Sequence, residues 1–226
     1  MLIAQITDTH IRVPGKLVYG AVDTAANLVA AVAAVNAQVP RPELVLITGD
    51  LVDAGSPDEY AHFASIVAAL AMPYFLIPGN HDDRARLRAA FPHHRYLQGE
   101  DEFLNWTMAA GDLSLVALDS VDAGEVAGRL CAPRLEWLER TLSGTAGRPT
   151  LILVHHPPFA TGIAHMDSCP MAGAEAFAEI VRRHPNVERV VCGHVHRPMT
   201  VRWGGTVVST CPSTAHQFAL DLVANS

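Results

Sequence analysis

Polar side chains that can bind metal ions follow five of the short aliphatic runs in this chain. The runs are rich in Val, Ile and Leu and have the length of β-strands; they cover residues 2–6, 44–48, 74–77, 113–118, 150–154, 190–192 and 206–209. The donors that follow them are Asp8, His10, Asp50, Asn80, His155, His194 and His196. Because functional groups at strand ends meet at one edge of a sheet, the sequence predicts a single crevice with seven donors.

Helical patterns separate the early strands. Ser56 and Glu59 form a capping-box sequence around Pro57, which predicts a helix that runs to about Met72. Three further helices are predicted: one capped by Asp23, one opened by Pro133 and one over residues 174–184. Strands that alternate with helices of this length indicate an α/β fold in which the strands are buried beneath helices.

The types of donor restrict the chemistry of the crevice. Carboxylate, amide and imidazole groups without thiolate suit Mn, Fe, Zn or Co. The four cysteines are scattered, which argues against a zinc knuckle and a disulfide framework. An aspartate shared by two ions is a common way to hold them about 3.5 to 4 Å apart. Such a pair would attract an anionic phosphate and lower the pKa of bound water toward neutrality.

Composition excludes several classes of partner. With 16 Lys+Arg against 23 Asp+Glu, the chain has a formal charge of −7, so we expect no nucleic acid polymer as a partner. The longest strictly apolar run, residues 28–35, is far shorter than the ~18 to 20 residues of a membrane span. Met1 leads directly into a strand-like run, so a secretory signal is not predicted and a cytoplasmic location is expected.

Each motif also has a simpler interpretation when taken alone. A Gly-Asp pair after a strand is usually a turn, and Asn-His-Asp is commonly a loop. The His-Val-His at 194–196 could be a surface pair, and the His-His-Pro-Pro at 155–158 could be a rigid turn. Their joint occurrence in this order, each after a strand, favours one functional site.

The order Asp-x-His, Gly-Asp, Gly-Asn-His-Asp, His, Gly-His-x-His resembles the signature of the calcineurin-like metallophosphoesterases. Within that superfamily the chain is similar to the class III cyclic-nucleotide phosphodiesterase branch, and most similar to its bacterial glycerophosphodiester phosphodiesterases. The similarity spans nearly the whole chain. Further segments that carry it are residues 6–10, 17–20, 77–83, 155–158 and 209–217.

The resemblance implies a four-layer α/β/β/α sandwich of two mixed sheets flanked by helices. It implies one domain over residues 1–226, in which the C-terminal cap of the relatives is short or absent, and a homodimer. It also implies two divalent metal ions with Asp50 as the bridge. One ion would be held by Asp8, His10, Asp50 and His196, and the other by Asp50, Asn80, His155 and His194.

The activity implied is hydrolysis of small phosphodiesters, either glycerophosphodiesters or 3',5'-cyclic nucleotides or both, by a hydroxide that bridges the ions. His81 would be the catalytic residue that contacts the phosphate or protonates the leaving alkoxide, and Asp53 could orient it. Asn80 and His81 would also bind substrate. His156 and His216 are further candidates for the substrate side, with packing as the alternative for each.

Other activities on the same scaffold are a phosphomonoesterase, a dinucleotide pyrophosphatase and a nuclease, and a fourth alternative is a non-catalytic binding module. Protein Ser/Thr phosphatases of the superfamily carry an Arg after the Gly-Asp-x-x-Asp element, whereas this chain has Ala54. That difference weakens recognition of a phosphomonoester. The acidic balance disfavours a nuclease, and the complete donor set argues against a binding module.

Overall fold

Nine strands and six α-helices make up the computed structural model, which describes residues 1–99, 101–145 and 147–222. The strands are β1 (Ile3–Ile6), β2 (Leu44–Thr48), β3 (Tyr74–Ile77), β4 (Trp106–Ala110), β5 (Leu113–Leu118), β6 (Thr150–Val154), β7 (Val187–Cys192), β8 (Met199–Trp203) and β9 (Thr206–Thr210). The helices are α1 (Thr24–Ala37), α2 (Pro57–Val67), α3 (Arg84–Ala90), α4 (Ala132–Gly144), α5 (Ala164–Asp167) and α6 (Ala174–Arg183), and Arg95–Leu97 forms a 3-10 turn.

The strands form two sheets. The smaller sheet has the order β1-β2-β3 and all its strands are parallel, with Ile6 opposite Ile47 and Thr48 opposite Ile77. The larger sheet is mixed and has the order β4-β5-β6-β7-β9-β8. Its four central strands are parallel, and β4 and β8 run antiparallel at its two edges. These two edge strands lie outside the predicted runs.

Alternate residues of the central strands face opposite layers. Leu115 and Leu153 point into the core shared with the smaller sheet, whereas Val116 and Ile152 belong to a second core beneath α4 and α6. On the far side of the smaller sheet, α1 and α2 pack against it and against each other. The predicted four-layer α/β/β/α arrangement is therefore confirmed. Of the two sheets expected to be mixed, only the larger one is, because the three strands of the smaller sheet are all parallel.

Helix α2 begins as its sequence predicts. The Ser56 side chain accepts a hydrogen bond from the Glu59 backbone N–H, and the Glu59 carboxylate accepts from the Ser56 N–H. The helix ends at Val67, however, and not near Met72. The six residues 68–73 turn the chain so that β3 can enter the sheet at Tyr74. None of the helices within the described ranges is long and apolar enough to cross a membrane.

Candidate metal centre

The seven predicted donors lie in the loops that follow β1, β2, β3, β6 and β7, at the carboxyl edges of both sheets. Their backbone is unusual. Only six residues other than glycine have a positive φ in the described part of the chain, and five of them are predicted donors. These are Asp8 (50°), His10 (42°), Asp50 (49°), His194 (70°) and His196 (52°). Such conformations cost on the order of 1–3 kcal/mol each and concentrate at functional sites.

Glycine allows the donor loops to approach closely. A Cβ atom on Gly79 would lie 2.2 Å from Asp50 Oδ1, and one on Gly193 would lie 2.2 Å from Thr7 Oγ1. No real Cβ tolerates such distances, so these two positions require glycine for space and not for a turn.

The first donor set is compact. Asp8, His10, Asp50 and His196 each offer one atom, and these four atoms all lie within 4.8 Å of one another. His10 Nε2 is 3.1 Å from His196 Nε2 and 3.7 Å from Asp50 Oδ2, and His196 Nε2 is 3.5 Å from Asp8 Oδ1. All four residues are buried. This is the group that the resemblance assigns to one ion.

The second donor set meets Asp50 at the same carboxylate oxygen as the first. His155 Nε2 lies 3.4 Å from Asp50 Oδ2, and His194 Nδ1 lies 3.0 Å from Asn80 Oδ1. Each set draws residues from loops of both sheets. The structure thus brings all seven predicted donors into two adjoining groups that meet at Asp50.

Backbone carbonyl groups orient two of the imidazoles. A carbonyl can only accept, so His155 Nδ1 donates to Thr48 O at 2.8 Å and His196 Nδ1 donates to His216 O at 2.9 Å. In the neutral rings the Nε2 lone pairs then face the carboxylates. His155 Nε2 is buried without a hydrogen-bond partner. A lone pair directed at two buried carboxylates is the environment that a divalent cation satisfies, so these residues fit a metal centre.

Charge coupling at the centre is strong. Burial alone would raise the pKa of Asp50, but the neighbouring His155 holds it well below its usual range. Burial would likewise lower the pKa of His155, but the Asp50 carboxylate raises it to about 9. A proton and a divalent cation therefore compete for the Nε2 lone pair of His155.

His81 stands at the open side of the centre. Its side chain is exposed, its ring lies 4.6 Å from that of His10, and its Nδ1 donates to the backbone carbonyl of Asp53 at 2.7 Å. The expected link to Asp53 therefore exists, but through the main chain. The Asp53 carboxylate instead lies 3.6 Å from His10 Nδ1 and 3.5 Å from the Arg12 guanidinium.

The two further histidine candidates differ in what they can offer a substrate. His156 is buried, its Nε2 donates to Val126 O at 3.1 Å, and its Nδ1 accepts from Ser120 Oγ at 2.8 Å. Burial lowers its pKa well below the usual range, so it stays neutral with no free nitrogen. His216 lies 4.6 Å from the His196 ring and has no hydrogen-bond partner at either ring nitrogen.

Three supporting residues were not predicted. Ser120 holds His156, Ser213 donates from Oγ to the Asp8 carbonyl at 2.7 Å, and the Phe218 ring stacks on His196 with centroids 4.5 Å apart. Ser120 follows the run 113–118, so the strand-end rule that found the donors could have found it too. Phe218 has no comparable sequence signal.

A buried carboxylate joins the loops that carry Asp50 and Asn80. Asp82 Oδ2 accepts from the backbone N–H groups of Leu51 at 3.1 Å and Gly79 at 2.9 Å, and Oδ1 accepts from Tyr60 OH at 3.0 Å. The Tyr60 hydroxyl in turn accepts from the Asp83 N–H at 2.8 Å. This hydrogen-bonded group fixes the two loops relative to each other and to α2.

Comparison with known proteins identifies the family. The family described as calcineurin-like phosphoesterase matches residues 1–198. The chain is a calcineurin-like phosphoesterase. Members of this family use a dimetal centre, which agrees with the two donor groups that meet at Asp50.

Several proteins similar to this phosphoesterase are named as phosphodiesterases. It is 37% identical over 223 residues to a protein of Arcobacter nitrofigilis named "Probable glycerophosphodiester phosphodiesterase GpdQ", covering 98% of this chain and 81% of that one. It is 36% identical over 216 residues to the 3',5'-cyclic adenosine monophosphate phosphodiesterase CpdA of Vibrio vulnificus, covering 96% and 77%. A dimetal phosphatase from Danio rerio shares the fold, with a TM-score of 0.73, 16% identity and coverage of 94% and 87%.

Proposed function

We propose that this chain is a binuclear metal-dependent phosphodiesterase that hydrolyses small phosphodiesters, with glycerophosphodiesters and 3',5'-cyclic nucleotides as the two substrate classes. The observation that carries the proposal is the position of the Asp50 carboxylate between the two donor sets. It lies 3.7 Å from His10 Nε2 in the first set and 3.4 Å from His155 Nε2 in the second, and this nitrogen of His155 is buried without a hydrogen-bond partner in the described part of the chain. The names of the relatives support the choice of a diester.

The donor groups define which residues would hold the ions. Two ions, drawn from Mn, Fe, Zn or Co, would supply Lewis-acid stabilisation of phosphate charge and a water of lowered pKa. One would be held by Asp8, His10, Asp50 and His196, and the other by Asp50, Asn80, His155 and His194. Asn80 contributes a neutral amide, so the second group relies on Asp50 for its negative charge.

His81 is the residue placed to handle the proton of the leaving group. Because Nδ1 donates to the Asp53 carbonyl, the transferable proton is the one on Nε2. The side chain is exposed and beside His10, so Nε2 can reach an alcohol that departs toward the opening. We assign His81 as the general acid for the leaving alkoxide. His216, with its free ring nitrogens, is assigned to the substrate side, and His156 to packing.

The experiment is a substrate panel with the manganese-loaded protein. It compares 3',5'-cyclic AMP, glycerophosphoethanolamine, a phosphomonoester and single-stranded DNA, with metal content measured on the same samples. We expect hydrolysis of one or both of the small diesters and none of the DNA. A protein that binds two ions but hydrolyses only the monoester would contradict the proposal and favour a phosphomonoesterase.

Three further expectations stay predictions. They are the single domain over residues 1–226, the homodimer and the cytoplasmic location. Sedimentation analysis tests the dimer, limited proteolysis tests the domain, and cell fractionation tests the location.

A further inference from the structure

A small cavity adjoins the metal centre on the side of the second donor set. It has a volume of about 140 Å³ and is lined by residues between His156 and Ala174 together with His194 and Val195. His194 is both a wall of the cavity and a member of the second donor set, where it contacts Asn80. A group in the cavity would therefore lie beside the place where a phosphate is bound.

The lining of this cavity is apolar. Phe159, Met166, Met171 and Ala174 contribute side chains without hydrogen-bonding groups, and Met171 is buried. Two adjacent prolines, Pro157 and Pro158, form another part of the wall.

The carboxylate and one imidazole of the lining, those of Asp167 and His156, are already engaged. The Asp167 carboxylate accepts hydrogen bonds from Thr161 N at 2.7 Å, Thr161 Oγ1 at 2.8 Å and Gly162 N at 2.8 Å. Both nitrogens of His156 are bound to Ser120 and Val126. Among the residues that the structure describes, no lysine or arginine lines the cavity, and the Asp167 carboxylate is occupied by donors of its own loop. A charged group would therefore lose hydration there without gaining a partner, so the lining selects an uncharged group.

The volume limits the size of the occupant. An apolar protein cavity of about 150 Å³ holds one benzene molecule, so this cavity accepts a group of roughly six non-hydrogen atoms. Typical pockets for larger ligands have volumes of about 300 to 1,000 Å³. The base and ribose of a nucleoside together are therefore too large for it.

We propose that this cavity binds one of the two alcohol groups of the phosphodiester and selects small, uncharged, largely apolar groups, such as phenyl or short alkyl. This inference rests on the proposed function and narrows it, because it names the part of the substrate that the second donor set faces. A cyclic nucleotide, if it is hydrolysed, must keep its base outside the cavity.

The first test measures binding without metal or turnover. Methionine labelled with ¹³C at its methyl group gives six signals for this chain, and phenol is added to the metal-free protein. We expect the signals of Met166 and Met171 to shift, while those of Met1 and Met199, which line neither this cavity nor the separate one at Met72 and Met108, stay unchanged. Adenosine and ethanolammonium should shift neither pair.

Variants that fill the cavity make the test specific. Ala160→Phe places a ring in the lining at an exposed position, so the fold tolerates it, and Ala174→Phe fills the cavity from α6. Ala33→Phe, at an exposed position of α1, is the matched control. Both cavity variants should abolish the shifts caused by phenol and raise the KM for diphenyl phosphate about tenfold, which corresponds to ~1.4 kcal/mol. Metal content and the behaviour of the control should match the wild type.

The outcomes separate this inference from the proposed function. If phenol causes no shift at Met166 and Met171, or the same shift in Ala160→Phe, the cavity assignment is overturned. If the wild type hydrolyses diphenyl phosphate and Ala160→Phe does so with unchanged KM, the assignment is again overturned while the phosphodiesterase stands. If the manganese-loaded wild type hydrolyses no diester, the proposed function fails.

Discussion

The two donor sets share Asp50, but different parts of the fold support them. In the first set the orientation of His196 depends on residues 213–218, through the His216 carbonyl and the stacked Phe218 ring. In the second set His155 is oriented by the Thr48 carbonyl at the end of β2, a fully buried strand in the middle of the smaller sheet. One set is therefore supported from the periphery of the molecule and the other from its centre.

Removal of Asp50, the residue that both donor sets share, should prevent metal binding at both sets. We expect Asp50→Ala to lose both ions and to lower activity more than ~10⁴-fold, because most of the rate enhancement depends on the metal pair. Elemental analysis and diester turnover measure the two effects. Asp58→Ala, at an exposed carboxylate in the first turn of α2, is the control and should keep both ions. Full metal content in Asp50→Ala would refute the bridging role.

Removing His81 should leave both sets intact and affect only turnover. A positioned general acid contributes about 10²- to 10⁴-fold, so we expect a loss of that size in His81→Ala with two ions still bound. Kinetics and elemental analysis on the same preparation give the comparison. His93→Ala, an exposed histidine outside the centre, should behave as the wild type. Loss of metal together with activity in His81→Ala would mean that its role is misassigned.

Removal of the Phe218 ring, which supports the first donor set from the periphery, should weaken metal binding at that set alone. Phe218→Ala leaves the His216 carbonyl in place but frees one face of the His196 ring. Residues that orient a ligand contribute 10- to 100-fold to metal affinity, and we expect about tenfold for one of two ions. Titration with a chelator resolves the two affinities. Leu220→Ala, at an exposed apolar side chain of the same segment, should change neither, and an equal loss at both ions would contradict the difference in support.

Removal of a hydrogen bond from the Asp82 group, near the centre of the molecule, should mainly lower the free energy of unfolding. Tyr60→Phe leaves Asp82 Oδ1 and the Asp83 N–H without their partner, so the free energy of unfolding of the metal-free protein should fall by ~1–3 kcal/mol. Metal affinity should fall only a few-fold. Chemical denaturation and metal titration measure the two quantities.

Tyr96→Phe is the matched control for this change. The Tyr96 hydroxyl also accepts from a backbone N–H, that of Leu76, but it lies away from the donor loops. We expect a comparable loss of stability in Tyr96→Phe with unchanged metal affinity. If both variants bound metal as tightly as the wild type, the Asp82 group would be structural only.

Strands made of one continuous apolar run were predictable, and strands of mixed composition were not. The place of a strand in its sheet did not decide this, since β3 is an edge of the smaller sheet and the central strand β7 was predicted only in part. β2, β3, β5 and β6 match the predicted aliphatic runs residue for residue, because strands covered on both faces are continuously apolar. β4 and β8 are the edges of the larger sheet, and their residues alternate between buried or partly buried and exposed positions. Their composition is too mixed for a hydrophobic run to reveal them.

The positions of the donors were predictable because the donors follow these strands. The groups that orient the donor side chains were not predictable. Strand ends fix where Asp8, Asp50 and His194 must lie, so the order of motifs along the chain was sufficient to group them. The orientation of each imidazole depends on carbonyl groups and rings brought in by distant segments, such as residues 213–218. Sequence spacing carries no information about those contacts.

Each donor set combines residues from loops of both sheets, and this arrangement has a mechanical consequence. Two ions bound there would link the two sheets through their ligands, so separating the sheets would require the ions to be released. A ligand present at about a thousand times its dissociation constant stabilises a fold by ~4.1 kcal/mol. Bound metal would therefore contribute to the free energy of unfolding of the chain as well as to its turnover.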